Sequence, residues 1–217
     1  MGTPTREVLI VGAGLSGLLA ALRLQENGRQ VTLIDKARTT GGRLATRPIG
    51  PGLADSGAQF FTVREPAFRH YVDAWQRAGL VYVWSTGWSD GSLIAGGAPS
   101  DGYPRYAVNG GMNALARHLT DQLLAQGTTI ITDRRITRIS QVSDGWQVTD
   151  EQHNQYTSAT LILTPPVPQS LAFLDAGGIE LTTADRVVLE RIAYAPCLCG
   201  LFWLEGDITL PEPGALQ

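Results

Sequence analysis

The sequence predicts an α/β fold built on a buried parallel sheet, joined to a partial mixed-sheet region. Two observations carry that reading. Glu7–Val11, Leu15–Asn27 and Val31–Ile34 read as strand, helix and strand within about 30 residues, the length of one βαβ unit. Between the first strand and the helix stands Gly12-Ala13-Gly14-Leu15-Ser16-Gly17, which fits G-x-G-x-x-G in the context where that spacing has meaning. Together they make the first part of the chain a Rossmann-type domain, with a right-handed crossover between its strands.

Each element follows from local pattern. Glu7 to Val11 is apolar and β-branched and ends at glycine, as a buried parallel strand does. Leu18, Leu19, Leu22 and Leu24 recur at helical spacings, and Gly28 stands at the C-terminal cap. Arg38 to Thr62 is rich in Gly, Pro and Thr and shows no sustained period, so it is expected to be irregular and functional. Pro66 opens a helix whose apolar face is Phe68, Tyr71, Val72 and Trp75, stopped at Gly79. Leu80 to Val108 reads as short strands with turns at Asp90-Gly91 and Asp101-Gly102. A second amphipathic helix turns Met112, Leu115, Leu119 and Leu123 inward, between Asn109-Gly110-Gly111 and Gly127. Strands are expected at Thr128–Thr132, Arg135–Val142, Trp146–Thr149 and Ala159–Leu163, with turns at Ser143-Asp144-Gly145 and His153-Asn154. Helices follow around Pro168–Leu174 and Thr183–Arg191, and Tyr194–Leu204 is apolar enough for a buried strand.

Composition narrows the functional classes. The 217 residues carry a net charge of -3, which gives no electrostatic reason to expect a nucleic-acid or anionic-membrane partner. No apolar run approaches the roughly 20 residues of a membrane span. Lys36 is the only lysine, so no other could serve as a catalytic amine. Cys197 and Cys199 form no disulfide framework, and are expected to be small, half-buried apolar residues; a cytoplasmic location is the default. His70, His118 and His153 are scattered, no metal-ligand spacing exists, and no catalytic residue is assigned.

The glycine fingerprint assigns three roles. Gly12 makes the tight turn, Gly14 lets backbone approach a pyrophosphate, and Gly17 lets helix and strand pack closely. The first amides of the helix then face the phosphates. Asp35 lies 18 residues beyond Gly17, where a ribose hydroxyl partner belongs, and its charge disfavours a 2′-phosphate. These residues alone leave NAD and FAD both open. Gly41-Gly42-Arg43 can fold a second loop over the same pyrophosphate, with Arg43 offering a planar, charged hydrogen-bonding fork.

The stretch VLIVGAGLSGLLAALRL…VTLIDKARTTGGRLATR resembles the N-terminal FAD motif of flavin-dependent amine oxidases. With DSGAQFFT (55–62), YAVNGGMNALARHL (106–119) and LILTPPVPQSLAFL (161–174), the chain resembles bacterial renalase-like FAD oxidoreductases. The resemblance implies an FAD-binding domain over residues 1–64 and 109–175 and an incomplete substrate domain over 65–108 and 176–217. It places Ala13, Ser16 and Gly17 beside the pyrophosphate, and Asp35 and Lys36 at the adenosine end. Gly42 and Arg43 would lie at the pyrophosphate, Gly57-Ala58-Gln59-Phe60 along the isoalloxazine, and Ile136 at the adenine edge. Trp84 and Trp88 could line the flavin face or be core. The implied chemistry is hydride transfer from a small reduced donor, a dihydronicotinamide, to flavin, with O2 as acceptor. Amine oxidation or desaturation on the same scaffold, or a nucleotide-binding remnant, are the alternatives. Relatives of this kind run longer, so the chain is expected to be a fragment lacking the segment that covers the flavin.

Overall fold

A computed structural model describes residues 7–88 and 102–206. Its elements are β1 (Glu7–Val11), α1 (Leu15–Glu26), β2 (Gln30–Ile34), β3 (Thr46–Ile49), β4 (Gly52–Asp55), α2 (Pro66–Arg77), β5 (Val81–Ser85) and β6 (Arg105–Val108). There follow α3 (Asn113–Ala125), β7 (Thr129–Ile131), β8 (Ile136–Val142), β9 (Gly145–Asp150), β10 (Gln155–Ser158), β11 (Thr160–Leu163), α4 (Val167–Ala176) and α5 (Thr183–Glu190). Two compact units result: residues 1–42 with 116–198, and residues 43–115 with 199–217.

The first unit is built on a four-stranded parallel sheet in the order β11-β1-β2-β7. Strand β1 is paired on both edges, α1 packs on it, and its Leu9 and Val11 share a core cluster with Ile136, Ile139 and Val148. That is why Val8 to Val11 are all buried and why the sequence shows a run rather than an alternation. Helix α1 buries Gly17, Leu18, Ala21 and Leu22 and packs on β1 and β2. Gly28, at φ +69, ends it in the left-handed conformation that a C-terminal cap uses.

A three-stranded antiparallel meander, β8-β9-β10, completes this unit. Ile136, Ile139 and Val148 from it share a core cluster with Leu9, Val11 and Ile34 of the parallel sheet. Strand β10 was not among the expected elements. Its sequence, Gln155-Tyr156-Thr157-Ser158, carries a single large apolar residue, too few to show a period.

Asp150, fully buried at the end of β9, pins the turn into β10. It accepts hydrogen bonds from the N–H groups of Gln152 and Asn154, the Asn154 side chain and the Tyr156 hydroxyl, all at 2.9–3.1 Å. Burial pushes its carboxyl up, but the donations from Asn154, Tyr156 and Gln152 outweigh that and hold it below the ordinary carboxylate range.

The second unit holds two antiparallel hairpins, β3-β4 and β5-β6, with α2. The segment 38–62, expected to be irregular, contains β3 and β4. Pro48 obscures them in the sequence, yet a two-stranded hairpin leaves an outer edge where a missing N–H costs nothing. Helix α2 buries Val72 and Trp75 as its periodicity predicts. Phe61, Phe68, Trp75 and Tyr106 form a chain of ring contacts at 5.5–5.9 Å.

Two further expectations fail. Tyr194–Leu204 forms no strand: it finds no ladder partner among the described residues, and Pro196 and Gly200 interrupt it. Leu198 is 99% exposed and Phe202 84%, so apolar content alone misled. Cys197 and Cys199 are correspondingly exposed rather than half-buried. The turn expected at Asp90-Gly91 lies outside the described residues, as does Asp101; the adjoining Gly102 does adopt a positive φ of +74.

Asp150→Ala should cost about 3 kcal/mol, because it leaves several buried donors without their charged acceptor. Since the folded carboxyl titrates below its unfolded value, this contribution is complete above the unfolded pKa, near 4, and is lost as pH falls through the folded value. Urea unfolding at pH 7 and at pH 3 checks both: the difference between wild type and Asp150→Ala should shrink at the lower pH.

Candidate functional site

The loop between β1 and α1 has each glycine in a distinct environment. Gly12 sits at φ +100, donates to Ile34 O at 2.7 Å, and a Cβ there would lie 2.3 Å from Thr164 Oγ1. A Cβ on Gly17 would lie 2.0 Å from Gly12 O, so helix and loop can approach only because the side chain is missing. Gly14 differs. Its φ of -75 suits any residue, and an added Cβ would meet nothing nearer than Gly42 Cα at 4.0 Å. No internal contact requires glycine at position 14, where an added methyl would make only ordinary van der Waals contact with the Gly42 backbone.

Asp35 closes this arrangement from the end of β2. One carboxylate oxygen accepts the Ala13 N–H at 2.6 Å and the other the Ala37 N–H at 2.8 Å. Each oxygen keeps a further lone pair, which is what a ribose hydroxyl needs. Gly41 donates to Ala13 O at 2.8 Å and bridges Gly14, so the second glycine turn is laid directly against the first. Gly42, at φ +56, brings its backbone over Gly14; a Cβ on it would be 3.2 Å from Gly14 Cα.

The N-terminus of α1 is left open in the way an anion site requires. Gly14 at its N-cap supplies no side-chain hydrogen bond, and the first turn contains no acidic residue. The amides of Leu15, Ser16 and Gly17 precede the first helical bond, Leu18 N to Gly14 O, and so have no partner inside the helix. Ser16 is exposed in that turn. These features fit a dinucleotide: a hydroxyl acceptor at Asp35, an uncapped helix end, and a glycine at position 14 that no internal contact requires.

Other expected residues sit as follows. Lys36 is exposed and reaches Gln169 Oε1 at 3.5 Å. Ile136 is 4% exposed, in the core cluster with Ile34, so its side chain supports the sheet. Arg43 begins the second unit. There, Gly57 permits a close approach to the chain itself: a Cβ on it would be 2.0 Å from Arg43 O, and Ala58 donates to that same carbonyl at 2.9 Å. The paired bonds between Phe61 and Tyr106, at 2.9 and 3.0 Å, then anchor the segment carrying Gln59 and Phe60 to β6. Phe60 stacks on Trp84 at 5.8 Å and meets Trp88 edge-on at 5.3 Å, and the Arg105 guanidinium lies 4.7 Å over Trp88.

Two residues of this framework carry no sequence-based assignment. Thr164, just past β11, directs its hydroxyl at Val11 O (3.0 Å) and Gly12 O (3.1 Å), behind the glycine loop. The only hint in the sequence is its place between a buried strand and Pro165-Pro166. Asp55 accepts from Thr46 Oγ1 at 2.6 Å and from the Met112 N–H at 2.9 Å, while Thr46 Oγ1 accepts the Asn113 N–H at 3.0 Å. This pair caps α3 from a distant hairpin, which no local capping pattern could reveal. Among the described residues, no group of three or more acidic, His or Cys side chains could hold a metal, and no helix is long and apolar enough to cross a membrane.

A family model described as an NAD(P)-binding Rossmann-like domain matches residues 10–75. The first part of the chain is a Rossmann-like nucleotide-binding domain. A stretch of 60 residues is 43% identical to the hydroxyneurosporene desaturase of Rubrivivax gelatinosus, covering 28% of this chain and 11% of that protein. The chain also aligns with the flavin-dependent L-tryptophan oxidase RebO of Lentzea aerocolonigenes, 32% identical over 76 residues, covering 35% and 16%. The matched stretch is thus a small part of either relative. In overall fold the chain is similar to an oxidoreductase from Methanosarcina mazei, with a TM-score of 0.54, 13% identity and coverage of 85% and 64%. It is similar also to the PF1083 protein of Pyrococcus furiosus, with a TM-score of 0.58, 15% identity and coverage of 87% and 66%. The Rossmann-like domain therefore agrees in motif and fold with the α/β reading of the sequence.

Two substitutions separate the glycine roles. Gly17→Ala should destabilise the protein by about 3 kcal/mol, since backbone must move to admit the methyl. Gly14→Ala should leave thermal unfolding within a few degrees of wild type, yet weaken ADP binding severalfold. Calorimetric melting and ADP titration distinguish the two.

Proposed function

We propose that this chain is the nucleotide-binding part of an FAD-dependent oxidoreductase that passes hydride from a small reduced donor, a dihydronicotinamide, to the flavin, with O2 as acceptor. The observation that carries FAD, rather than a generic dinucleotide, is the second glycine turn. Gly41 and Gly42 lie against Ala13 and Gly14, and Arg43 follows directly in sequence. Such a double loop brackets a pyrophosphate, whereas a single fingerprint only receives one. Asp35 would accept from the adenosine ribose, the α1 amides would face the phosphates, and Arg43 would add a charged fork. When bound, FAD supplies a ring that accepts two electrons as hydride. A dihydronicotinamide releases hydride without help from a base, so the reaction asks of the protein mainly orientation and exclusion of water.

Desaturation is the second reading. It is favoured by the likeness of a 60-residue stretch of the chain to hydroxyneurosporene desaturase, and it would use the same cofactor.

FAD titration of the purified chain should show saturable binding with a perturbed visible flavin band, and Asp35→Ala should weaken it about tenfold or more. If Asp35→Ala binds FAD as wild type does, the assignment fails. Anaerobic mixing of the FAD-loaded protein with dihydronicotinamides, amines or polyenes then separates the reactions by which donor bleaches the flavin.

A further inference from the structure

The chain holds two Asn-Gly pairs, Asn27-Gly28 and Asn109-Gly110. In such a pair the asparagine side chain is open to attack by the backbone nitrogen that follows it, because glycine has no Cβ to crowd the approach. The two pairs are alike in most respects. Both asparagines and both glycines are exposed, and the glycines have positive φ, +69 at Gly28 and +80 at Gly110. An added Cβ would meet nothing within 4 Å at Gly28, and only Ala114 Cβ, at 3.8 Å, at Gly110. Each asparagine donates its side-chain nitrogen to one backbone carbonyl at 2.7 Å, Asn27 to Arg23 O and Asn109 to Gly79 O.

They differ in what holds the glycine nitrogen. Gly28 closes α1 in a Schellman arrangement: its N–H donates to Gln25 O at 2.9 Å, and the Arg29 N–H to Leu24 O at 3.0 Å. Asn109 and Gly110 are instead the two middle residues of a turn, closed by the Gly111 N–H on Val108 O at 3.0 Å. A turn of this kind bonds its outer residues to each other and leaves its middle N–H out. The Gly110 N–H accordingly has no acceptor among the described residues. The nitrogen that would attack is locked into a helix cap at one pair and unbonded at the other.

We propose that Asn109 is a site of spontaneous deamidation, exposed by this turn, while the α1 cap protects Asn27. The Gly110 nitrogen gives up its proton and bonds to Asn109 Cγ, the Cγ–Nδ2 bond breaks, and ammonia leaves with that proton. Water then opens the cyclic imide at either carbonyl, leaving aspartate or isoaspartate. One water is consumed and one ammonia released, and nothing is oxidised or reduced. The consequence falls on α2. Gly79, at φ +70, ends that helix, with its N–H on Gln76 O and the Leu80 N–H on Trp75 O, and Asn109 satisfies the Gly79 carbonyl. A carboxylate at position 109 has no N–H to give and brings charge to the negative end of the helix. Isoaspartate also adds a methylene to the backbone between β6 and α3.

The experiment ages the full chain in mildly alkaline buffer, natively folded and in urea, and follows tryptic peptides 24–29 and 106–117 by mass spectrometry. Fragment ions separate Asn109 from Asn113 in the longer peptide. In the folded chain Asn109 should convert at least about tenfold faster than Asn27, whose ring closure must first break the capping bonds of Gly28 and Arg29. In urea the two should convert at comparable rates. An isoaspartyl methyltransferase should label peptide 106–117 from the aged native chain and leave peptide 24–29 unlabelled. Asn109→Asp should melt about 3 °C below wild type, through the lost bond and the misplaced charge. Conversion of Asn27 as fast as Asn109 in the folded chain overturns the proposal, as does an Asn109 that changes only in urea. A preference for Asn109 that is equally large in urea removes the fold as its cause and overturns it too. Wild-type melting of Asn109→Asp overturns the consequence for α2.

Discussion

The Asp35 carboxylate is the contact on which the nucleotide-binding framework depends. It joins the end of β2 to the amide of Ala13 in the glycine loop and to the amide of Ala37 just beyond it. A charged acceptor shared by two backbone donors is worth more than a neutral hydrogen bond. The carbonyl of the same residue, in the next peptide group, receives the Gly41 N–H. The two glycine turns thus meet at Ala13, a residue held by a side chain that also offers lone pairs to a ribose. Structure and recognition draw on the same group.

Around that contact, the site is framed by missing side chains. Gly17 admits nothing larger than hydrogen because Gly12 O occupies the place of its Cβ; within the second unit, Gly57 is constrained in the same way by Arg43 O. Gly14 has no such internal neighbour, which separates a glycine required for folding from one required for approach. The spacing of the fingerprint anticipates that distinction, and the structure supplies the contact behind each role.

Much of the architecture was legible because its signals are local. The βαβ unit is announced by an apolar run, a helical period and a glycine fingerprint, and α2 and α3 by amphipathic faces that end at Gly79 and Gly127. What the sequence concealed are features set by partners far along the chain. Pro48 disguised β3, and β10 has one apolar residue to show for itself. Tyr194–Leu204 misled in the opposite direction, since a strand needs a hydrogen-bonded neighbour as well as apolar content, and none of the described strands provides it. In the candidate site, Asp35 and the glycines were readable by spacing. Thr164 and Asp55 were not, because a hydroxyl behind a loop and a carboxylate capping a distant helix leave no period and no local motif.

The place of Thr164 has a consequence for how the protein comes into being. Strand β1 is complete within the first dozen residues, but its second neighbour, β11, and the hydroxyl that holds Gly12 lie about 150 residues later. A ribosome adds roughly 5–20 residues per second, so that interval is on the order of ten seconds. Throughout it, one edge of β1 stands unpaired and the glycine loop lacks its rear support. The most local motif in the sequence is therefore among the last to mature, and a nascent chain should acquire its nucleotide affinity late, in one step, as β11 docks.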